Sequence, residues 1–185
     1  MAGKLSPAMR SVRLGLRFFR ASVLMGMLFA AVPAFGLPLT GSLGLGGANP
    51  AAADPVGYLG AVSLCAQFDD SFGAYASAWR MGMPGASENL EGGYESATAF
   101  SAGVEYRLSV AEMEPFLKVG GGFVGAKGSP SVSAPMVEFG LGARWLVADG
   151  WLIGFELGRF APMDELGGIG GGALLQVQLA YRFEL

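Results

Sequence analysis

The feature that most constrains this chain is two-residue alternation, sharpest in the run 174–183. There Leu175, Val177, Leu179, Tyr181 and Phe183 fall on one face, and Gln176, Gln178 and Arg182 fall on the other. Successive side chains of an extended chain point to opposite faces, so this run is a strand with one apolar and one polar side. Half of all residues are hydrophobic (52%), yet past the first 36 residues no charge-free apolar run reaches the ~20 residues of a membrane-spanning helix. Strands that cross a lipid layer must pair every backbone group, which only a closed barrel achieves. The expected fold is therefore all-β: an eight-stranded antiparallel up-and-down barrel, with its apolar faces turned out to lipid and its polar faces turned into a narrow lumen.

Seven earlier segments repeat the pattern. The first, 39–47, sets Leu39, Leu43 and Leu45 outward against Thr40 and Ser42. The second, 56–68, turns Val56, Tyr58, Val62, Leu64 and Phe68 outward and Ser63, Cys65 and Gln67 inward. In the third, 72–80, Phe72 and three alanines share one face while Tyr75 and Trp79 share the other, which leaves its facing open. The fourth, from Thr98, sets Phe100, Val104, Tyr106 and Leu108 against Ser101, Gly103, Glu105 and Arg107. The fifth places Leu117, Val119 and Phe123 outward and Lys118, Gly120 and Gly122 inward; the sixth places Val137, Phe139, Leu141, Trp145 and Val147 outward, with Glu138, Gly140, Gly142 and Arg144 inward. The seventh sets Trp151, Ile153, Phe155 and Leu157 against Gly154, Glu156 and Gly158.

Connection lengths alternate in step with this. The connections 69–71, 109–113 and 148–150 are short, whereas 49–55, 81–96, 126–135 and 161–172 are longer and rich in Gly, Pro and Ser. Strand ends beside the short turns carry Phe68, Phe72, Tyr106, Trp145, Trp151, Tyr181 and Phe183. Aromatic rings favour the boundary between lipid and water, so these seven are expected to form a girdle at one rim. A soluble barrel with the same alternation would turn its charges outward. About seven charges across all strands are too few for a water-facing surface, and the aromatic rim has no purpose there.

Residues 1–36 read as a cleaved secretory signal and 37–185 as the barrel. Lys4, Arg10, Arg13, Arg17 and Arg20 precede an apolar stretch, 21–35, that ends in small residues. Cleavage after Gly36 is preferred over cleavage after Ala34. Pro33, Pro38 and the Gly/Ser-rich alternation from Leu39 interrupt the run before it reaches the length of a spanning helix. Five of the twelve basic residues lie in this leader, so the rest carries seven bases against fifteen acids, a net of −8. Such a charge excludes nucleic acid as a partner. The single cysteine, Cys65, has no partner for an internal disulfide and is expected to sit as a small residue inside a strand.

If the facing is right, Glu105, Glu138 and Glu156 share the lumen with Arg107, Lys118, Arg144 and Arg182. Buried charges are costly unless paired, so cross-strand ion pairs are expected, with inward glycines leaving room for long side chains. These pairs either plug the barrel or gate a narrow pore in which one carboxylate exchanges between basic partners. No enzyme is expected. The chain has no histidine to serve as a base, and the adjacent acids Asp164 and Glu165 are expected to be solvated loop residues. Without histidine and with one cysteine, neither a metal nor any other cofactor is expected. The glycine run 167–172 leads into a strand and not a helix, so it lacks a phosphate-cradling geometry. The run 120–122 lies within a strand and eases barrel curvature.

Together these features resemble the small eight-stranded outer-membrane barrels, a group that includes the transmembrane domain of outer-membrane protein A and the X-type and W-type barrels. The resemblance covers 37–185 and rests on pattern. The group's assembly signal is an alternating last strand that finishes in an aromatic, matched here by Leu175, Val177, Leu179, Tyr181 and Phe183, although Glu184 and Leu185 follow. The resemblance implies a place in the cell outer membrane, contact with outer-membrane lipid, recognition of the last strand by the barrel-assembly machinery, and passage of at most small solutes or ions. It also admits a role in surface adhesion or host contact through the connection 81–96, which carries Glu88, Glu91, Tyr94 and Glu95. The inward charges weigh against the apolar lumen of a W-type barrel, although the lumen near Leu59 and Ala61 is less polar.

Overall fold

The computed structural model describes residues 37–50, 57–82, 96–127, 132–163 and 171–183. Within them the chain forms eight strands: β1 (Leu39–Pro50), β2 (Gly57–Gln67), β3 (Phe72–Gly82), β4 (Ser96–Arg107), β5 (Met113–Lys127), β6 (Val132–Ala148), β7 (Trp151–Pro162) and β8 (Gly172–Phe183). Each pairs with the next, and β1 closes onto β8 from Leu39↔Phe183 to Pro50↔Gly172, so the sheet is a closed antiparallel barrel. Closure leaves no edge of unpaired N–H and C=O groups, the condition for a sheet to sit in lipid.

The facing follows the alternation. On the outside, Leu45 is 75% exposed and Val177 63%, while inside Glu138 is 1% exposed and Glu105 3%. A water-soluble barrel would have the opposite distribution. The open question of β3 is resolved: Tyr75 and Trp79 are buried inside, whereas Phe72 is exposed and the alanines lie between.

Several strands are longer than the sequence pattern predicts. β1 runs to Pro50 and β3 to Gly82, β4 starts at Ser96, and β6 starts at Val132. Each of these additions is at the end that faces a long connection, where ladder hydrogen bonds continue past the apolar belt. At the other end, Met113 and Ala148, expected in turns, belong to β5 and β6, while Phe68 lies in a turn instead of closing β2. Residues 1–36, expected as a secretory signal, and Val56, the acids of 83–95, Asp164, Glu165, Glu184 and Leu185 lie outside the described residues.

Two short turns show how local chemistry fixes the hairpins. In the turn before β3, the Asp69 carboxylate accepts hydrogen bonds from the backbone N–H of Ser71 and Phe72, both at 2.7 Å. These bonds favour the charged form and hold the carboxyl below its ordinary pKa. Between β6 and β7, Gly150 takes φ +74°, a conformation that costs glycine little. Its carbonyl accepts from Arg182 N at 2.8 Å, and a Cβ there would meet the Tyr181 ring at 2.9 Å.

Candidate functional site

Among the described residues, charged and polar side chains converge in the lumen, which falls into two layers. From the short-turn end to mid-barrel, inward positions of β4 to β8 bring together four acids, Glu105, Glu114, Glu138 and Glu156, and four bases, Arg107, Lys118, Arg144 and Arg182.

Arg144 grips Glu105 with two parallel bonds, Nη1 to Oε1 at 2.7 Å and Nη2 to Oε2 at 2.8 Å. The same guanidinium lies 4.0 Å over the Phe116 ring. A planar fork that matches a carboxylate and also stacks on an aromatic face is geometry that arginine supplies and lysine does not. Lys118 Nζ sits between Glu138, at 3.0 Å, and Glu156. Glu156 also accepts from Gln178 at 2.5 Å and Gln176 at 3.1 Å, and Glu138 accepts from Ser101 at 2.5 Å. Nearer the short turns, Arg182 Nη2 donates to both oxygens of Glu114, at 2.6 and 2.7 Å.

Each of these carboxylates is thus held by a base, as buried charge requires. Arg107 differs: it is 3% exposed, and its two terminal nitrogens have no hydrogen-bond partner among the described residues. Glycines make the space. A Cβ on Gly140 would stand 2.5 Å from Lys118 Cε and 2.7 Å from a Glu156 oxygen, so the lysine reaches its acids only because that position is bare.

Towards the long connections the inward face changes character. Trp79 and Phe160 pack with ring centroids 5.0 Å apart. Met81, Met136, Leu59 and Leu174 join them between walls of alanine. Outward positions at the same strand ends hold Asn49, Arg80, Thr98, Lys127, Ser133 and Arg159, all exposed. Between the layers lies a cavity of about 10 Å³ lined by Ser42, Ser63, Trp79, Glu138 and Gln176 among others. An open recess of about 510 Å³ lies at the short-turn mouth, lined by Leu146, Asp149, Gly150, Tyr181 and Arg182.

All seven charges named from the sequence point into the lumen. All seven aromatics of the expected girdle, Phe68, Phe72, Tyr106, Trp145, Trp151, Tyr181 and Phe183, lie at the short-turn end. Five of them meet in ring contacts with one another: Phe72 with Tyr106 at 4.9 Å, Trp151 with Tyr181 at 5.0 Å, and Tyr181 with Phe183 at 4.8 Å. The sequence pattern does not reveal Glu114, because the outward and inward faces of the fifth segment are first marked at Leu117 and Lys118. Glu114 shares its parity with Lys118, which is the signal that would have found it. The less polar lumen expected near Leu59 and Ala61 is part of this apolar layer, but its extent through Trp79, Met81, Met136 and Phe160 is not marked by the sequence pattern.

No protein-family model matches the chain, and no curated protein sequence matches it. Solved structures do match. Neisserial surface protein A superposes with a TM-score of 0.59 at 9% identity, covering 81% of this chain and 97% of that one. The fold is that of the small eight-stranded outer-membrane barrels. The N-terminal β-barrel domain of Pseudomonas aeruginosa OprF gives 0.56 at 12% identity over 79% of this chain and 97% of its own. The outer membrane enzyme PagL gives 0.52 at 15% identity, over 77% and 98%. The shared architecture therefore serves proteins of different activity, and the side chains inside this barrel must carry the functional argument.

Proposed function

We propose that the chain is an integral outer-membrane barrel with a sealed lumen, acting at its lipid face and its surface connections and not by passing solutes. The observation that carries this reading is the apolar layer closed over the ionic one. Trp79, Phe160, Met81 and Met136 fill the end towards the long connections, and paired charges fill the rest. An eight-stranded barrel is just wide enough for side chains to fill it, and here they do.

In this reading the short turns and the aromatic girdle face the periplasm, and the long connections face the outside of the cell. The exposed apolar belt meets outer-membrane lipid, and the alternating last strand serves recognition by the barrel-assembly machinery. In this reading the four lumen carboxylates serve structure, each held by a lysine or arginine and two of them also by amide or hydroxyl donors. The connection 81–96, with its acids and Tyr94, is the surface through which an adhesive or host-contact role would act.

A second reading has one specific observation in its favour. Lys118 is shared by Glu138 and Glu156, and the terminal nitrogens of Arg107 have no hydrogen-bond partner among the described residues, so the network contains a base with two acids and a base with unused donors. Exchange of partners among them would open a narrow, weakly conducting path for ions.

Liposome swelling with the refolded protein separates the two. The sealed reading predicts the swelling rate of empty liposomes for small sugars and amino acids, with protease on intact cells cutting within 83–95. Swelling above the empty control would overturn it.

A further inference from the structure

We propose that the lumen binds one resident water molecule, held where the apolar layer meets the ionic network and bridging Trp79 to Gln176. The cavity there measures about 10 Å³. A single water needs roughly 10–15 Å³ of probe-occupied space and two to four polar partners. Two of the residues on its wall hold buried polar atoms with no hydrogen-bond partner among the described residues: the Trp79 indole nitrogen and the Gln176 side-chain oxygen. Trp79 is 4% and Gln176 7% exposed, so bulk water does not satisfy them.

The two orphans are complementary, since the indole N–H only donates and the amide oxygen only accepts. One water accepts from Trp79 and donates to Gln176. That leaves one O–H and one lone pair for the wall, where Ser42 and Ser63 share a 2.6 Å bond that uses part of their capacity. Without such a bridge both atoms bear the cost of a buried polar group lacking its hydrogen bond. The positions matter, because Trp79 belongs to the apolar layer while Gln176 donates to Glu156 in the ionic one. The water is a polar side-chain link between the two layers.

Gly44 is the wall position that tests this. A Cβ there would collide with the Gln176 side-chain oxygen and stand 3.6 Å from the Ala61 Cβ, taking the water's space. The chain, labelled with nitrogen-15 and refolded into deuterated detergent micelles, gives three indole N–H resonances, one for each tryptophan; W79F assigns the relevant one. The expected result is a dipolar cross-peak between the Trp79 indole proton and water, with the sign of a long-lived contact. It should fall at least tenfold in Gly44→Ala, provided the heat-modifiable gel shift shows a folded barrel. Ala61→Val fills the same cavity from β2 and serves if Gly44→Ala does not fold. Absence of the cross-peak in the unaltered chain overturns the proposal, as does its undiminished persistence in either folded variant.

Discussion

The two ends of this barrel obey opposite rules. Towards the short turns the outside is apolar, with Phe72, Trp151 and Phe183 exposed, and the inside is charged, with Glu105 and Arg144 buried. Towards the long connections the inside is apolar, with Phe160 and Met81 fully buried, and the outside carries Arg80, Thr98, Lys127, Ser133 and Arg159. The first pattern is what lipid demands, because apolar surface is stable there and polar groups must be satisfied internally. The second is what water demands, with the hydrophobic effect acting inward. Strand length explains how one sheet does both. β5 and β6 contain 15 and 17 residues, more than the ~9–11 a tilted strand needs to cross a bilayer. The surplus extends past the exposed apolar belt, and there the sheet packs as a soluble barrel does.

The comparison predicts that the layers fail in different ways when altered. In the ionic layer, Arg144→Ala leaves Glu105 buried without its fork. Breaking a buried pair in this way costs about 3–5 kcal/mol, measured by urea unfolding in lipid vesicles, and adding Glu105→Gln should recover part of the loss. In the apolar layer, Met81→Ala removes a fully buried side chain, and about 2–5 kcal/mol is expected from lost transfer energy and the cavity left behind. This loss should be insensitive to pH, because no charge is left unpaired. Gly140→Ala tests the spacing that lets the lysine reach its acids. Its Cβ would press on Lys118 and Glu156, with an overpacking cost of about 1–3 kcal/mol. A Gly140→Ala protein as stable as its parent would mean that the Lys118 pairing is loose.

The smallest effect belongs to the turn. Backbone donors hold the Asp69 carboxyl below its ordinary pKa, so its contribution is complete above the ordinary carboxylate range and disappears as pH falls through the lowered value. Asp69→Ala should therefore lower the melting temperature slightly at neutral pH, and the difference from the parent should vanish in strong acid. A difference that grew on acidification would contradict the assigned hydrogen bonds.

How much of this was legible in the sequence follows from the same contrast. The ionic layer lies within the membrane stretch, where Glu105, Lys118, Glu138, Arg144, Glu156 and Arg182 alternate with residues such as Tyr106, Val119, Phe139 and Leu157. One parity decides the facing of every one of them. Glu114 escaped because it follows a turn, and the start of a strand is hard to place without its partner. Of the apolar layer only the part near Leu59 and Ala61 was legible, and the rest escaped for a deeper reason. Above the membrane an inward residue is apolar, so Trp79 and Phe160 break the rule that identifies inward positions lower down. That conflict is what left the facing of β3 open, since Tyr75 and Trp79 are aromatic yet inward. Gln176 was placed inward correctly, but its partnerless oxygen depends on three-dimensional neighbours that no pattern encodes.

The central claim is that the apolar layer seals the barrel. Single-channel recording in planar bilayers tests it most directly, with the refolded parent, Arg144→Ala, and the double substitution Trp79→Ala with Phe160→Ala, each verified as folded by its heat-modifiable gel shift. The account predicts a silent parent, a silent Arg144→Ala because the layer above it stays intact, and discrete current steps only from the double variant. Steps from the parent that change with Arg144→Ala would contradict it, and would place the gate in the ion pairs.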